Sequence, residues 1–213
     1  MEQGGPGLVL ESYRGEADKI LSPAAKRLAR INPNHLSVAS LGFALLAGVF
    51  FTQEPEYFLI LAAAMVSMNG LLDALDGKVA RLVAKESQRG DFVDHVIDRY
   101  ADVFILAGIA LSPYCSVFTG LFAVIGVMLA SYMGTQAQAL GLRREYRGIL
   151  GRADRLALLI IIPVVHYALM TLDPSFATDI FGYSVIGWMM LYFGLAGNIT
   201  AIQRAHMIWK SLP

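Results

Sequence analysis

Two pairs of aspartates stand out in this sequence: Asp73 with Asp76, and Asp94 with Asp98. On a helix the first pair are i, i+3 neighbours and the second i, i+4 neighbours, so each pair projects from one face. The short connection from Arg81 to Gly90 predicts antiparallel neighbouring helices whose four carboxylates converge. Like charges held this close repel unless cations intervene. Hard divalent cations take oxygen ligands, and Mg²⁺ commonly combines a few carboxylates with substrate phosphates. Two such ions about 3.5–4 Å apart suit attack on a phosphorus centre. Gly77 removes a side chain where a ligand could approach the backbone. Ala80 keeps the next turn narrow, and Arg81 offers a fork that can grip phosphate at two points. Ordinary helix-end acids are the plain alternative, since aspartate is favoured at helix N-termini. That accounts for Asp91 and Asp94 taken singly, and serves equally well for Asp91 and Asp102 beside the cluster. It does not account for Asp98 one turn deeper, nor for Asp73 and Asp76 at the end of a helix.

The elements that carry these acids are membrane-like. The chain has 213 residues, of which 56% are hydrophobic and 16% charged. A soluble domain holds about 25% charged and about 45–50% apolar residues. The mean hydropathy is +0.54. The excess lies in long runs: His35–Phe51, Tyr57–Met68, Val103–Leu111, Val117–Ala130, Leu156–Met170 and Val185–Leu195. A bilayer span needs roughly 20 mostly apolar residues, so the runs with their flanks predict six spans, at 35–51, 57–80, 92–112, 114–139, 155–171 and 182–203. The expected fold is all-α: a six-transmembrane-helix integral membrane domain over residues 35–213. Residues 1–34 form an N-terminal segment, with no room for a second soluble domain.

Charge supports that layout. The formal net charge of +0 hides a segregated distribution. Glu54, Glu56, Asp173 and Asp179 occupy the connections on one side, without Lys or Arg. The other side holds Lys19, Lys26, Arg27, Arg30, Lys85, Arg89, Arg143, Arg144, Arg147, Arg152 and Lys210. The positive-inside rule places that basic side in the cytosol, with both termini and the acidic cluster. An even number of spans follows. Within the N-terminal segment, Gly15–Arg30 reads as an interfacial amphipathic helix. Ile20, Leu21, Ala24, Ala25, Leu28 and Ala29 share a face, and Lys19, Lys26, Arg27 and Arg30 are attracted to anionic lipid. A partly ordered cytosolic tail is the alternative. Asn34 is the expected N-cap of the first span. Met1–Leu10 lacks the basic and apolar regions of a secretory signal. Cys115 is the only cysteine, which excludes an intramolecular disulfide.

At the aspartates the sequence resembles the CDP-alcohol phosphotransferase family. Its signature, D-x2-D-G-x2-A-R-x8-G-x3-D-x3-D, is matched at every fixed position from Asp73 to Asp98. The resemblance implies a homodimer of six-helix subunits in the cell membrane, with a cytosol-facing active site. It implies that Asp73, Asp76 and Asp94 bind metal, and that Asp98 binds a second metal and serves as general base. The two cations would be Mg²⁺, with Mn²⁺ as the alternative. Gly77, Arg81 and Ser87 would contact the CDP moiety, with Ala80 and Gly90 lining it. The stretch from Pro33 to Ser37 is similar to the family's P-N-x-x-T segment, with Ser37 in place of Thr, so Asn34 and Ser37 join the CDP-lipid contacts. The implied reaction is phospholipid synthesis: an acceptor hydroxyl, its proton taken by Asp98, displaces CMP from a CDP-lipid.

The acceptor is read elsewhere. Gly151 to Leu156, with Arg152 and Arg155, and the Gln203-Arg204 pair are similar to the inositol-phosphate branch of the family, whose arginines grip the acceptor's phosphate. Gln136 and Gln138 stand where bacterial members carry Arg and Glu, and look more like archaeal members, whose lipid is CDP-archaeol. The expected partners are therefore CDP-archaeol or CDP-diacylglycerol and inositol 1-phosphate; glycerol 3-phosphate and serine remain alternatives, and no nucleic acid is expected. Arg143, Arg144 and Arg147 read as surface charge. A membrane cation carrier is the rival of another class, but its acids would lie near the midplane beside broken helices. His166 and Asn198 are expected to bond across helices. Gly42 and Gly48 mark sites of close helix approach.

Overall fold

A computed structural model describes residues 14–83, 87–143, 145 and 147–212, with side chains from Leu21 onward. Residues 1–13, and Lys85 and Arg144 of the basic side, lie outside the described set. Eight helices are present among the described residues: α1 Arg14–Leu28, α2 Pro33–Phe51, α3 Phe58–Leu82, α4 Gln88–Ala110, α5 Val117–Ala139, α6 Arg152–Leu172, α7 Pro174–Thr178 and α8 Val185–Ser211. No strand forms among them; Ile180 and Tyr183 make one isolated bridge.

Five helices, α2, α3, α5, α6 and α8, are long and apolar enough to cross a membrane, which makes this an all-helical, multi-pass membrane protein. Helix α4 has 23 residues but falls outside that group because Arg89, Asp91, Asp94, Asp98, Arg99 and Asp102 interrupt its apolar content. The core runs down the bundle axis through Phe51, Leu59, Leu106, Ile109, Ile186, Met190 and Phe193. Phe118, Val38, Leu121, Ile125 and Ile202 point outward instead, as expected where lipid rather than water surrounds the bundle.

Local chemistry sets the helix starts. Helix α2 begins on Pro33, and its N-cap is Asn32, whose side-chain oxygen accepts from the Asn34 amide at 3.1 Å. The expectation of Asn34 as cap is corrected by two residues. Proline has a fixed φ and no N–H to lose, so it suits the first helical position. Serines cap three others: Ser87 accepts from Gly90, Ser116 from Thr119 and Ser184 from Gly187.

Helix α1 rests Leu21, Ala24, Ala25 and Leu28 against Leu36 of α2 and Leu75 and Val79 of α3, leaving Lys26, Arg27 and Arg30 exposed. Helix α2 packs on both α3 and α4, and α5 packs along α8. The α2–α4 approach is backbone to backbone. A Cβ added at Gly108 would strike the carbonyl of Gly48, and one at Gly48 would strike that of Phe104. Gly42 meets nothing within 4 Å, so only half of the expected glycine pair marks a contact. Gly108→Val is therefore expected to destabilise the protein by about 1–3 kcal/mol, the usual cost of overpacking. Thermal unfolding in detergent checks this; an unchanged Tm would mean the helices stand farther apart.

The two helices bearing the acids face one another across a cleft. Among the described residues, α3 packs most closely on α2 and also meets α6. A short connection limits how far apart two helix ends can be, but α2 fills the space on one side and leaves a cleft between them. Asn69, Gly70 and Asp73 of α3, Ala101, Asp102 and Ile105 of α4, and Arg152, Arg155, Leu156 and Leu159 of α6 line it.

Two polar side chains within the spans behave otherwise than expected. His166 is fully buried without a hydrogen-bond partner among the described residues, its ring meeting that of Tyr114 edge-on at 4.8 Å. Asn198 donates to Gly194 of its own helix at 2.8 Å rather than across to another.

Candidate active site

The last turns of α3 and the first turns of α4 bring their carboxylates together across the cleft. One oxygen each from Asp73, Asp76 and Asp94 lie within 4.8 Å of one another. Asp76 is 5% exposed and Asp98 6%. Buried carboxylates need donors or cations around them. Asp76 has one from α2: the Ser37 hydroxyl donates to its Oδ2 at 2.6 Å. Helix α2 is itself tied to α3, as the Asn69 amide donates to the Ser40 carbonyl at 3.0 Å. The segment that precedes α3 in sequence thus sets the direction of a carboxylate near its end.

Arginines from α6 and α4 supply the rest. The Arg152 Nη2 donates to Asp73 Oδ1 at 2.9 Å and makes a second, shorter bond to Asp98 Oδ1. Arg99 Nη2 stands 3.7 Å from Asp98 Oδ2 and 3.5 Å from Asp102 Oδ2. Arg155 Nη2 donates to Asp102 Oδ1 at 2.6 Å. Signs alternate along this ladder: Asp73, Arg152, Asp98, Arg99, Asp102, Arg155. It starts at the acid cluster and descends one helical turn of α4 and α6 into the bundle.

The other expected residues fall around this centre. A Cβ on Gly77 would have only the Arg81 Nη1 within 4 Å, at 3.9 Å, so the backbone there faces open space. Arg81 and Ser87 are exposed, and Ala80 and Gly90 partly so. Ser87 Oγ accepts from the Gly90 amide at 3.0 Å, as the cap of α4. Asn34 is exposed in the first turn of α2. Arg204 bonds two backbone carbonyls. Its Nε donates to the Arg147 carbonyl at 2.9 Å and its Nη1 to that of Ala130 at 2.6 Å, tying the α5–α6 connection to α8. In that connection the Arg147 guanidinium bonds Glu145 and holds its carboxyl below the usual range.

Sequence reasoning passed over Arg99 and left Asp102 open. The signal for Asp102 was present: it lies four residues after Asp98 and so on the same face of α4. The partnership of Ser37 with Asp76 had no such signal, because it crosses from one helix to another.

A divalent cation suits the residues present. Three carboxylates offer hard oxygen ligands within a few ångströms, the donor set that Mg²⁺ and Mn²⁺ prefer. Comparison with known proteins agrees in kind. The family model for CDP-alcohol phosphatidyltransferase matches residues 30–200, so the chain belongs to that family and is a transferase. It is 33% identical over 206 residues to the archaetidylinositol phosphate synthase of Pyrococcus horikoshii, covering 96% of this chain and 98% of the relative. It is 31% identical over 206 residues to the phosphatidylinositol phosphate synthase of Cutibacterium acnes, covering 92% and 95%. The fold is also that of the Mycobacterium tuberculosis phosphatidylinositol phosphate synthase crystallised with CDP-DAG bound. That match has a TM-score of 0.70 and 24% identity, and covers 90% of this chain and 94% of that one. The same mycobacterial enzyme has been crystallised with manganese and citrate, at a TM-score of 0.70 and 23% identity over 89% of this chain and 88% of that one.

Proposed function

We propose that this protein transfers the phosphatidyl or archaetidyl group of CDP-diacylglycerol or CDP-archaeol to a hydroxyl of inositol 1-phosphate, releasing CMP. The observation that carries the acceptor is the pair of α6 arginines, Arg152 and Arg155, lining the same cleft as Asp73. An acceptor that brings its own phosphate needs cationic forks beside the reacting centre. The names of the relatives from Pyrococcus and Cutibacterium point the same way. Glycerol 3-phosphate shares the phosphate and is the second reading.

Asp73, Asp76 and Asp94 would hold one divalent cation, and Asp98 would share in a second, Mg²⁺ or Mn²⁺. Bound there, these ions would offset charge on the diphosphate and on the CMP that leaves. Ser37 keeps the Asp76 carboxylate turned toward the cleft. Gly77 leaves room for the diphosphate to approach, with Arg81, Ala80, Ser87, Gly90 and Asn34 around the cytidine end. Asp98 takes the proton of the acceptor hydroxyl as that oxygen bonds to phosphorus and the bond to CMP breaks. Arg152 pairs with Asp98 in this structure. An acceptor phosphate would compete for Arg152 and release the carboxylate that must act as base. Arg155 would share that phosphate, and Arg204 would serve it by fixing the α5–α6 connection.

This reading includes six spans, α4 being the sixth. Its 23 residues extend about 35 Å at 1.5 Å per residue, enough for a hydrocarbon core of about 30 Å. Its charges sit in its first fifteen residues, up to Asp102, while Val103–Ala110 is apolar. The acid cluster, both termini and α1 in the headgroup layer then lie on the cytosolic side, and residues 35–213 form the catalytic domain, working as a homodimer.

The test is a substrate panel in detergent with Mg²⁺, reading CMP release. CDP-diacylglycerol and CDP-archaeol are each paired with inositol 1-phosphate, glycerol 3-phosphate, serine and inositol. Release with inositol 1-phosphate and not with inositol is the expected result. Release with another acceptor while inositol 1-phosphate fails with both lipids would overturn the assignment.

A further inference from the structure

Asp102 is the one acid of the ladder that neither the metal nor the transferred proton employs. It lies one turn beyond Asp98 on the same face of α4. Arg155 donates to its Oδ1 at 2.6 Å, and Arg99 stands 3.5 Å from its Oδ2. The side chains of Asp102 and Arg155 are 13% and 8% exposed. A guanidinium buried to that degree needs a counter-charge, because stripping one partner from a buried pair leaves an uncompensated ion. Helices α4 and α6 face one another across the cleft, which residues of both line. Arg155 of α6 reaches across that cleft to Asp102 of α4, so this ion pair directs its guanidinium. Asp102, Arg155, Arg152, Asp73 and Asn69 line one cavity of ≈ 30 Å³, room for about one water molecule. Asp102 Oδ2 has no hydrogen-bond partner among the described residues. The carboxylate thus holds the arginine at the foot of the cleft through one oxygen, and one of the five N–H donors of the fork is committed to it.

We propose that Asp102 is a positioning residue: it fixes the Arg155 guanidinium in the orientation that receives the acceptor's phosphate, and touches neither substrate itself. This rests on the assignment of Arg155 to the acceptor phosphate made above. Because Asp102 acts through Arg155, its loss falls on acceptor binding. The metal cluster and the CDP-lipid, on the far side of Asp98, are spared.

Initial-rate kinetics on the full chain in detergent, with CDP-lipid, inositol 1-phosphate and Mg²⁺, provide the test. Asp102→Asn is expected to raise the acceptor KM about 10-fold, as for removal of binding shared by ground and transition states, with kcat and the CDP-lipid KM within about 2-fold. A pair that only braced the fold would move both KM values and the thermal midpoint together, and that result overturns the proposal. In an Arg155→Ala background, Asp102→Asn should add less than about 2-fold to the acceptor KM, since partners in one interaction are not additive. Independent, multiplying effects would overturn it. Asp102→Glu keeps the charge but shifts it, and is expected to give an intermediate acceptor KM. If the Asn variant does not fold, the Glu variant decides: an acceptor KM equal to wild type overturns the proposal. The two readings separate cleanly. If Arg155→Ala leaves the acceptor KM unchanged, the assignment of Arg155 falls and takes this proposal with it. If Arg155→Ala raises it and Asp102→Asn does not, the positioning role alone falls.

Discussion

Asp98→Asn is expected to lower kcat for CMP release by about 10²–10⁴, the contribution of a positioned general base, with both KM values little changed. The substitution suits the question because asparagine keeps the shape of the side chain and its carbonyl can still accept from Arg152. The position is 6% exposed, so a smaller residue would leave a cavity and confuse chemistry with packing. What Asn cannot do is take a proton from the attacking hydroxyl. Arg152 also retains Asp73 at 2.9 Å, so the fold does not acquire an unpaired guanidinium. Single-turnover CMP release measures the chemical step directly, and thermal unfolding confirms that the variant is folded. Full activity in this variant would remove Asp98 from the base role.

The second large effect concerns Asp94, which belongs to the three-acid group but not to the arginine ladder. Without a cation it stands among like charges, so Asp94→Asn is expected to leave metal-free stability unchanged or raised. Saturating Mg²⁺ stabilises a one-site protein by about 2.7 kcal/mol at a hundred times its Kd. That gain should be present in the wild type and largely lost in the variant, together with CMP release. The measurement is Tm against Mg²⁺ concentration, after EDTA treatment, for both proteins. Undiminished metal stabilisation in Asp94→Asn would place the cation elsewhere.

Periodicity made much of this legible beforehand. Asp73 with Asp76 and Asp94 with Asp98 share faces because the helical repeat requires it, and apolar runs of span length located α2, α3, α5, α6 and α8. The width of the space between α3 and α4 was not legible. Connection length bounds the distance between helix ends, whereas the packing of α2 on both helices, backbone to backbone with α4 at Gly48 and Gly108, shapes the space between them. The start of α2 was misjudged because Asn32 and Asn34 flank the same proline, and only the backbone shows which lies outside the helix. The bond from the Ser37 hydroxyl to Asp76 was not legible. The bonds of Arg204 to the carbonyls of Ala130 and Arg147 had no signal in the sequence either. Contacts between residues tens of positions apart depend on rotamers and helix rotation, which periodicity leaves free.

The ladder has a consequence for electroneutrality. Its three aspartates and three arginines cancel in formal charge, which leaves Asp76 and Asp94 as the cluster carboxylates outside that balance. Two negative charges balance one divalent ion and no more. A second ion entering before substrate would bring two positive charges into a low-dielectric cleft with nothing opposite them, whereas a diphosphate arriving with it supplies the missing anion. On the proposed function, a second cation would therefore enter together with the diphosphate of the CDP-lipid.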